Sequence, residues 1–276
     1  MSGIACAIGA AATGQFRHGC ESAIERDKAN GELERMVDAY APAVLAQQVL
    51  ESDWFRALTL LGTAAFALSG VVLAYSGGYT LIGALTLAAL PAAGGGILRD
   101  LILQRQPIGI VRDPAILLTI FCTVLLGKAF FRLTALTAVQ RAVKALHSGP
   151  DWGTLVIELC DALGLAAFIV IGVVAALDAC AHPLWLWGPV SATITATFGR
   201  LMRDLACRDH KIARMPAELY AEIAVVWGLG LSLFLVWQAP RAQLEEIRLA
   251  VVVTIIGAVL TRTMALKLGL KGWSYG

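Results

Sequence analysis

Seven apolar stretches separated by short charged segments set the pattern of this chain. Residues 57–75 and 80–98 each run 19 residues without a charged side chain, and 162–177, 183–199 and 223–239 run 16, 17 and 17. Two further segments, 114–131 with Lys128 and 249–268 with Arg262 and Lys267, are nearly as apolar. A bilayer core is crossed by about 20 predominantly apolar residues per helix, within a range of about 17–25. The pattern predicts seven membrane-spanning helices near 57–76, 80–103, 114–132, 156–177, 184–206, 216–238 and 248–268, hence an all-α membrane protein.

The apolar pattern also repeats in its letters. LGTAAFALSGVVLA at 61–74 returns as LGLAAFIVIGVVAA at 163–176, with nine of fourteen positions identical. Shared Phe66/Phe168, Gly62/Gly164 and Gly70/Gly172 are harder to obtain by chance than shared Ala or Val. Arg99-Asp100 is echoed by Arg203-Asp204 at an offset of 104, and Arg112-x-Pro114-Ala115 by Arg214-x-Pro216-Ala217 at 102. A period of about 100 residues marks a duplicated unit. Three spans per copy is an odd number, so the second copy starts on the opposite face and the halves are expected to be inverted. Inverted repeats place solute pathways at the repeat interface near the midplane.

The expected organisation is an amino-terminal extension at 1–55, soluble or interfacial, then a three-helix repeat at 56–132. A linker at 133–155, a second repeat at 156–238, and a seventh helix with its tail at 239–276 complete it. The extension carries its own charges (Glu21, Glu25, Arg26, Asp27, Lys28, Glu32, Glu34, Arg35, Asp38). No positive segment precedes apolar residues 4–13, so a signal peptide is not expected. Near the span ends, Arg56, Arg105, Arg112, Arg241 and Arg248 fall on one side. Arg132, Arg141, Lys144, Arg208, Lys211, Arg214, Lys267 and Lys271 fall on the other. The excess predicts a carboxy terminus in the cytoplasm, and the chain is expected to be a multi-pass protein of the cell (inner) membrane.

Composition agrees. The chain of 276 residues is 58% hydrophobic and 15% charged, against about 25% charged in soluble domains. A net charge of +2 without a basic face excludes nucleic acid as a partner. The cysteines (Cys6, Cys20, Cys122, Cys160, Cys180, Cys207) form no CxxC pair and read as small apolar residues. His18, His147, His182 and His210 are scattered, no HExxH or GxSxG occurs, and neither an enzyme nor a metal or other cofactor is expected.

The densest chemistry lies in the second helix of each copy. The first reads Pro91-Ala92-Ala93-Gly94-Gly95-Gly96-Ile97-Leu98-Arg99-Asp100. Each interior Gly costs about 1 kcal/mol of helix stability relative to Ala, and Pro about 3. Four such breakers indicate either close helix packing or a helix unwound beside a hydrated cavity, where freed backbone groups find partners. The second copy retains only Gly199: Phe198 stands at the position of Gly94 and Arg200 at that of Gly96. Hydroxyls at Ser191, Thr193, Thr195 and Thr197 either face a pore or bond back to their own helix. Arg99, Asp100, Arg203 and Asp204 sit at span ends, as snorkelling interfacial charges or as charged pore mouths. Arg200, Thr193 and Thr197 are candidate pore or gate residues, since an arginine near the midplane must pair, snorkel or face water. Asp161 is expected to cap the amino terminus of the fourth span.

Leu61-Gly62-x4-Ala67-Leu68-Ser69-Gly70, Gly94-Gly95-Gly96-x-Leu98-Arg99-Asp100, Arg105-x-Pro107 and Arg112-Asp113-Pro114 resemble the prokaryotic trimeric intracellular cation (TRIC) channel family. Asp161-Ala162-Leu163-Gly164-Leu165-Ala166 and Met202-Arg203-Asp204 are similar to its second half. The resemblance covers about residues 54–270. It implies a homotrimer among membrane lipids, with a pore for monovalent cations, chiefly K⁺, in each subunit. That pore would run between the repeats, lined by second and fifth spans kinked at Pro91, Gly94, Gly95 and Gly96 and at Gly199. Related sequences are classed as glycine transporters, which makes a secondary transporter of glycine or a similar small amino acid the alternative.

Overall fold

The computed structural model describes residues 48–135, 152–207, 219–238 and 244–270. Most of the expected extension and the middle of the linker lie outside the described residues. The elements are α1 (Asp53–Ser76), α2 (Leu81–Ile102), a short α3 (Gly109–Arg112), α4 (Pro114–Ala135), α5 (Trp152–Asp178), α6 (Leu184–Ala206), α7 (Ala221–Gln238) and α8 (Leu244–Leu268). Local sequence sets several ends. The Thr80 hydroxyl accepts from the Gly83 N–H at 3.2 Å to cap α2. Pro114 occupies the first position of α4, where its missing N–H costs nothing, and the Asp113 carboxylate accepts from the Ala115 N–H at 3.0 Å. Glu245 and Glu246 open α8 and Lys267 closes it, each sign matching the helix dipole.

Among the described residues five helices are long and apolar enough to cross a membrane: α1, α2, α5, α8 and the Pro114–Arg132 part of α4. The apolar stretch of α7, Ala221–Trp237, is shorter. α6 is long enough but carries hydroxyls along its length and Arg200, Arg203 and Asp204 near its end. The molecule is an all-helical, multi-pass membrane protein.

α1, α2, α5 and α6 form the centre, with α1 on α5, α2 on α6, and each also against its neighbour in its own repeat. α4 flanks α1, α7 flanks α6, and α8 lies against α5 and α7. The contacts explain the repeated letters. Phe66 and Phe168, both buried, meet edge to face with ring centroids 4.8 Å apart. Each ring lies over the glycine of the opposite copy. A Cβ on Gly164 would stand 2.5 Å from the Phe66 ring, and one on Gly62 3.2 Å from that of Phe168. Gly70 lies against the backbone of Leu87 and Ala88 on α2, and Gly172 against that of Ser191 and Ala192 on α6. Equivalent residues thus meet equivalent partners across the molecule.

The outer helices turn apolar side chains outward. Leu118, Phe121, Leu126 and Phe130 on α4 are exposed, as are Leu249 and Leu260 on α8. Such continuous apolar faces suit hydrocarbon or another subunit rather than water.

Candidate functional site

The α2–α6 crossing is built on two of the four candidate glycines. A Cβ on Gly95 would overlap the Thr195 carbonyl oxygen of α6. A Cβ on Gly199 would lie 2.6 Å from the Leu90 carbonyl oxygen and 2.7 Å from that of Pro91 on α2. With the offset of 104 these are the same contact made twice. Gly94 and Gly96 are not needed in this way: a Cβ would find its nearest neighbours at 3.5 Å (Gly199 Cα) and 3.8 Å (Arg99 Nη2).

The expectation of an unwound segment is therefore corrected. α2 runs helical through Pro91 and Gly94–Gly96, and α6 through Pro189 and Gly199. The absence of side chains is used for backbone approach between helices, which offsets the low helix propensity. The hydroxyls likewise serve their own helix: Thr193 donates to Pro189 O, Thr195 to Ser191 O and Thr197 to Thr193 O, at 2.6–2.7 Å. Ser191 alone of the four reaches across, to Gly172 O on α5 at 2.7 Å.

Two charged clusters lie toward opposite ends of α5. At Asp161, Arg203 makes a two-pronged pair, Nη1 to Oδ1 and Nη2 to Oδ2, both 3.1 Å. Arg203 Nη1 also donates to Ser69 Oγ at 2.7 Å, and Nε to Asp204 Oδ1 at 3.0 Å. Arg200 stands 3.5 Å from both Asp161 and Asp204 and lies over the Tyr220 ring at 4.3 Å. Arg262 of α8 approaches the same ring at 5.0 Å. Seventeen residues along α5, about 25 Å at 1.5 Å per residue, Asp178 accepts from Arg105 Nη2 at 2.6 Å. Arg105 Nη1 donates to Asp100 Oδ1 at 3.0 Å, as Arg99 Nε does at 2.9 Å. The Gly109 N–H donates to Asp100 Oδ2 at 2.7 Å.

These charges do not snorkel. Arg99, Asp100, Arg203 and Asp161 are all buried, where unpaired charge is costly, and each cluster balances two arginines with two aspartates. Asp161 is corrected from a helix cap to an ion-pair partner, because α5 begins at Trp152 and Asp161 lies well inside it. Spacing gave no sign of Asp161 pairing with Arg203, of Ser69 joining them, or of Asp178 meeting Arg105. Gly199, the sole residue of the first glycine run retained in the second copy, matches Gly95, and these two carry the close backbone contact.

A small cleft of about 60 Å³ opens beside Arg99 and Asp100, lined by Thr59, Thr63, Gly96 and Ile110 and reaching Thr195. It thus reaches the residue that Gly95 packs against at the crossing. Among the described residues there is no group of three His, Cys, Asp or Glu able to hold a metal ion.

A family model described as "Glycine transporter" matches residues 56–132 and 158–239. The inner membrane protein YadS of Escherichia coli K12, a UPF0126 protein, is 33% identical over 172 residues, 62% of this chain and 74% of that protein. The UPF0126 membrane protein YvgT of Bacillus subtilis is 32% identical over 185 residues, 65% of this chain and 79% of that one. Among solved structures, the TRIC trimeric intracellular cation channel orthologue of Rhodobacter sphaeroides is 27% identical with a TM-score of 0.59, covering 79% of this chain and all of that one. A second TRIC cation channel shares the fold at 23% identity and a TM-score of 0.61, covering 80% of this chain and 97% of that one. With repeats matched in both halves and a relative matched over most of its length, the chain belongs to the glycine-transporter family and, with its UPF0126 relatives, to the TRIC family of membrane proteins.

Proposed function

We propose that the chain is a passive channel for monovalent cations, chiefly K⁺, acting as a homotrimer in the cell membrane with its carboxy terminus in the cytoplasm. Each subunit would carry its own pore between two inverted three-helix repeats, with α8 outside them. The observation that carries this reading is the reciprocal α2–α6 crossing in a fold shared with TRIC cation channels. Pairs 62/168, 66/164 and 69/161 bring α1 and α5 together in opposite directions, and 91/199 and 95/195 do the same for α2 and α6. That is the relation expected of copies turned over in the membrane.

In the present arrangement the path is shut where Gly95 and Gly199 hold the helices in backbone contact. Conduction requires α2 and α6 to part there. The Thr193 and Thr197 oxygens, which donate to their own helix and keep their lone pairs, would then replace part of an ion's hydration shell. Asp100 and Asp204 at the two ends would favour cations, while Arg99, Arg200 and Arg203 would set the barrier between them.

Planar-bilayer recording of the purified protein in asymmetric KCl tests this. Unitary currents reversing near the K⁺ equilibrium potential are expected. Saturable glycine counterflow without unitary events would replace the channel by a secondary transporter of glycine or a similar small amino acid.

A further inference from the structure

The two halves differ most at one place, and the difference leaves an arginine half satisfied. Arg99 and Arg203 are equivalent by the repeat, and each gives its Nε to the aspartate that follows it, Asp100 or Asp204; Arg99 also sets its Nη2 2.8 Å from the same Asp100 oxygen. Arg203 then turns its terminal nitrogens to Asp161 and Ser69. The residue of the first copy equivalent to Asp161 is Thr59, 102 positions earlier, and the one equivalent to Ser69 is Ile171 in the second. Both line the cleft beside Arg99. Arg99 is 94% buried by the complement of its 6% exposure, and its Nη1 has no hydrogen-bond partner. Where one copy has a carboxylate on its guanidinium, the other has an open cleft and a buried donor left unmatched.

We propose that this cleft is a binding site for a small monocarboxylate, which takes the position on Arg99 that the Asp161 side chain takes on Arg203. A planar carboxylate can take the unmatched Nη1 together with the second hydrogen of Nη2, a two-pronged geometry that a spherical anion cannot match, and the opposite cluster shows that pairing realised inside this fold. The hydroxyls of Thr59 and Thr63 donate to Phe55 O and Thr59 O, so their oxygens face incoming groups as acceptors. They leave the carboxylate to Arg99 and can accept from an ammonium if the solute has one. Access is from the end of the molecule where Gly109 and Ile110 of α3 border the cleft. The site does not depend on the channel reading, because it is defined by Arg99 and the cavity rather than by a through-path.

Equilibrium dialysis of the detergent-solubilised full chain with radiolabelled acetate, and separately with glycine, tests the site without any current being measured. Saturable binding of either carboxylate is expected. Binding of both means the carboxylate suffices, and binding of glycine alone means the threonine oxygens hold its ammonium. Thr59→Asp supplies the missing internal carboxylate and should weaken binding at least tenfold, whereas Thr59→Asn, of similar size but uncharged, should retain it within a few-fold. Gly96→Leu, which fills the cleft without altering a charge, should also abolish binding and serves if the aspartate variant fails to assemble. Methylammonium should not displace acetate. The proposal is overturned if neither carboxylate binds, if Gly96→Leu binds as the unaltered chain does, or if chloride displaces acetate at equal concentration. Bilayer currents in KCl alone judge the channel separately.

Discussion

Replacing each of the three adjacent glycines by alanine should separate packing from flexibility, because only one of them is spatially constrained. At Gly96 the added methyl has its nearest neighbour at 3.8 Å, so Gly96→Ala gains helix propensity of about 1 kcal/mol. At Gly95 the methyl would overlap the Thr195 carbonyl oxygen, with its carbon 2.8 Å away and Ile194 O at 3.0 Å. The obstacle is backbone in the middle of another helix, and overpacking of that kind costs about 1–3 kcal/mol. Taking the upper end against the same propensity gain leaves Gly95→Ala about 2 kcal/mol less stable than the parent and about 3 below Gly96→Ala. At about 2–4 °C per kcal/mol the two variants should differ in midpoint by about 6–12 °C. Tryptophan fluorescence of the solubilised protein during heating reads this directly. Equal midpoints for the two would mean that the helices do not meet at Gly95 and that the crossing is wrongly placed. The same contact means that a large residue at Gly95 acts on the docking of the two repeats before it acts on any ion path.

Asp161→Asn leaves Arg203 and Arg200 facing a neutral amide in a buried setting, and should cost about 3–5 kcal/mol, measured by the same melt. Phe66→Ala and Phe168→Ala should each cost about 3–5 kcal/mol. The double variant should cost less than their sum by about 0.5–1.5 kcal/mol, because the rings touch each other; strict additivity would deny the edge-to-face contact. Leu101 and Leu205 are exposed beside the two charged clusters, and Leu101→Cys and Leu205→Cys should react with an impermeant thiol reagent from opposite sides of sealed vesicles. Reaction from one side would contradict the inverted arrangement.

Much of the fold was legible in the chain. Helix ends fall within a few residues of those expected from the uncharged runs, since caps such as Thr80 and Pro114 sit where apolar stretches begin. The amino-terminal ends of α5 and α8 were set too late: Gly153 and Thr154 weaken the apolar pattern at the first, and Glu245 and Glu246 interrupt it at the second, while the chain stays helical. The core of the repeat was legible because packing demands identity there: glycine under phenylalanine has few substitutes. The site was less so. A glycine run reads alike whether a helix unwinds or another backbone comes close, and the choice depends on a partner about 100 residues away. Buried ion pairs have the same difficulty. Asp161 and Arg203 are 42 residues apart, and neither carries a mark of the other.

The unequal glycine runs, three in the first copy and one in the second, follow from the same geometry. Contact at the crossing fixes Gly95 and its equivalent Gly199, and nothing else in the run. Its neighbours are not held by that contact and differ between the copies. At Gly96 the missing side chain leaves room, and that residue lines the cleft beside Arg99. At the equivalent position the second copy carries Arg200, whose side chain lies between Asp161, Asp204 and the Tyr220 ring. One copy thus holds its charge balance with an extra internal arginine and an internal carboxylate. The other is balanced by Arg105 and Asp178 instead and has an opening where Arg99 Nη1 is unmatched. The two ends differ at the equivalent pairs Thr59/Asp161 and Gly96/Arg200, neither of them at the crossing. On the channel proposal, a path between such ends would meet different groups at its two mouths even though the helices around it repeat.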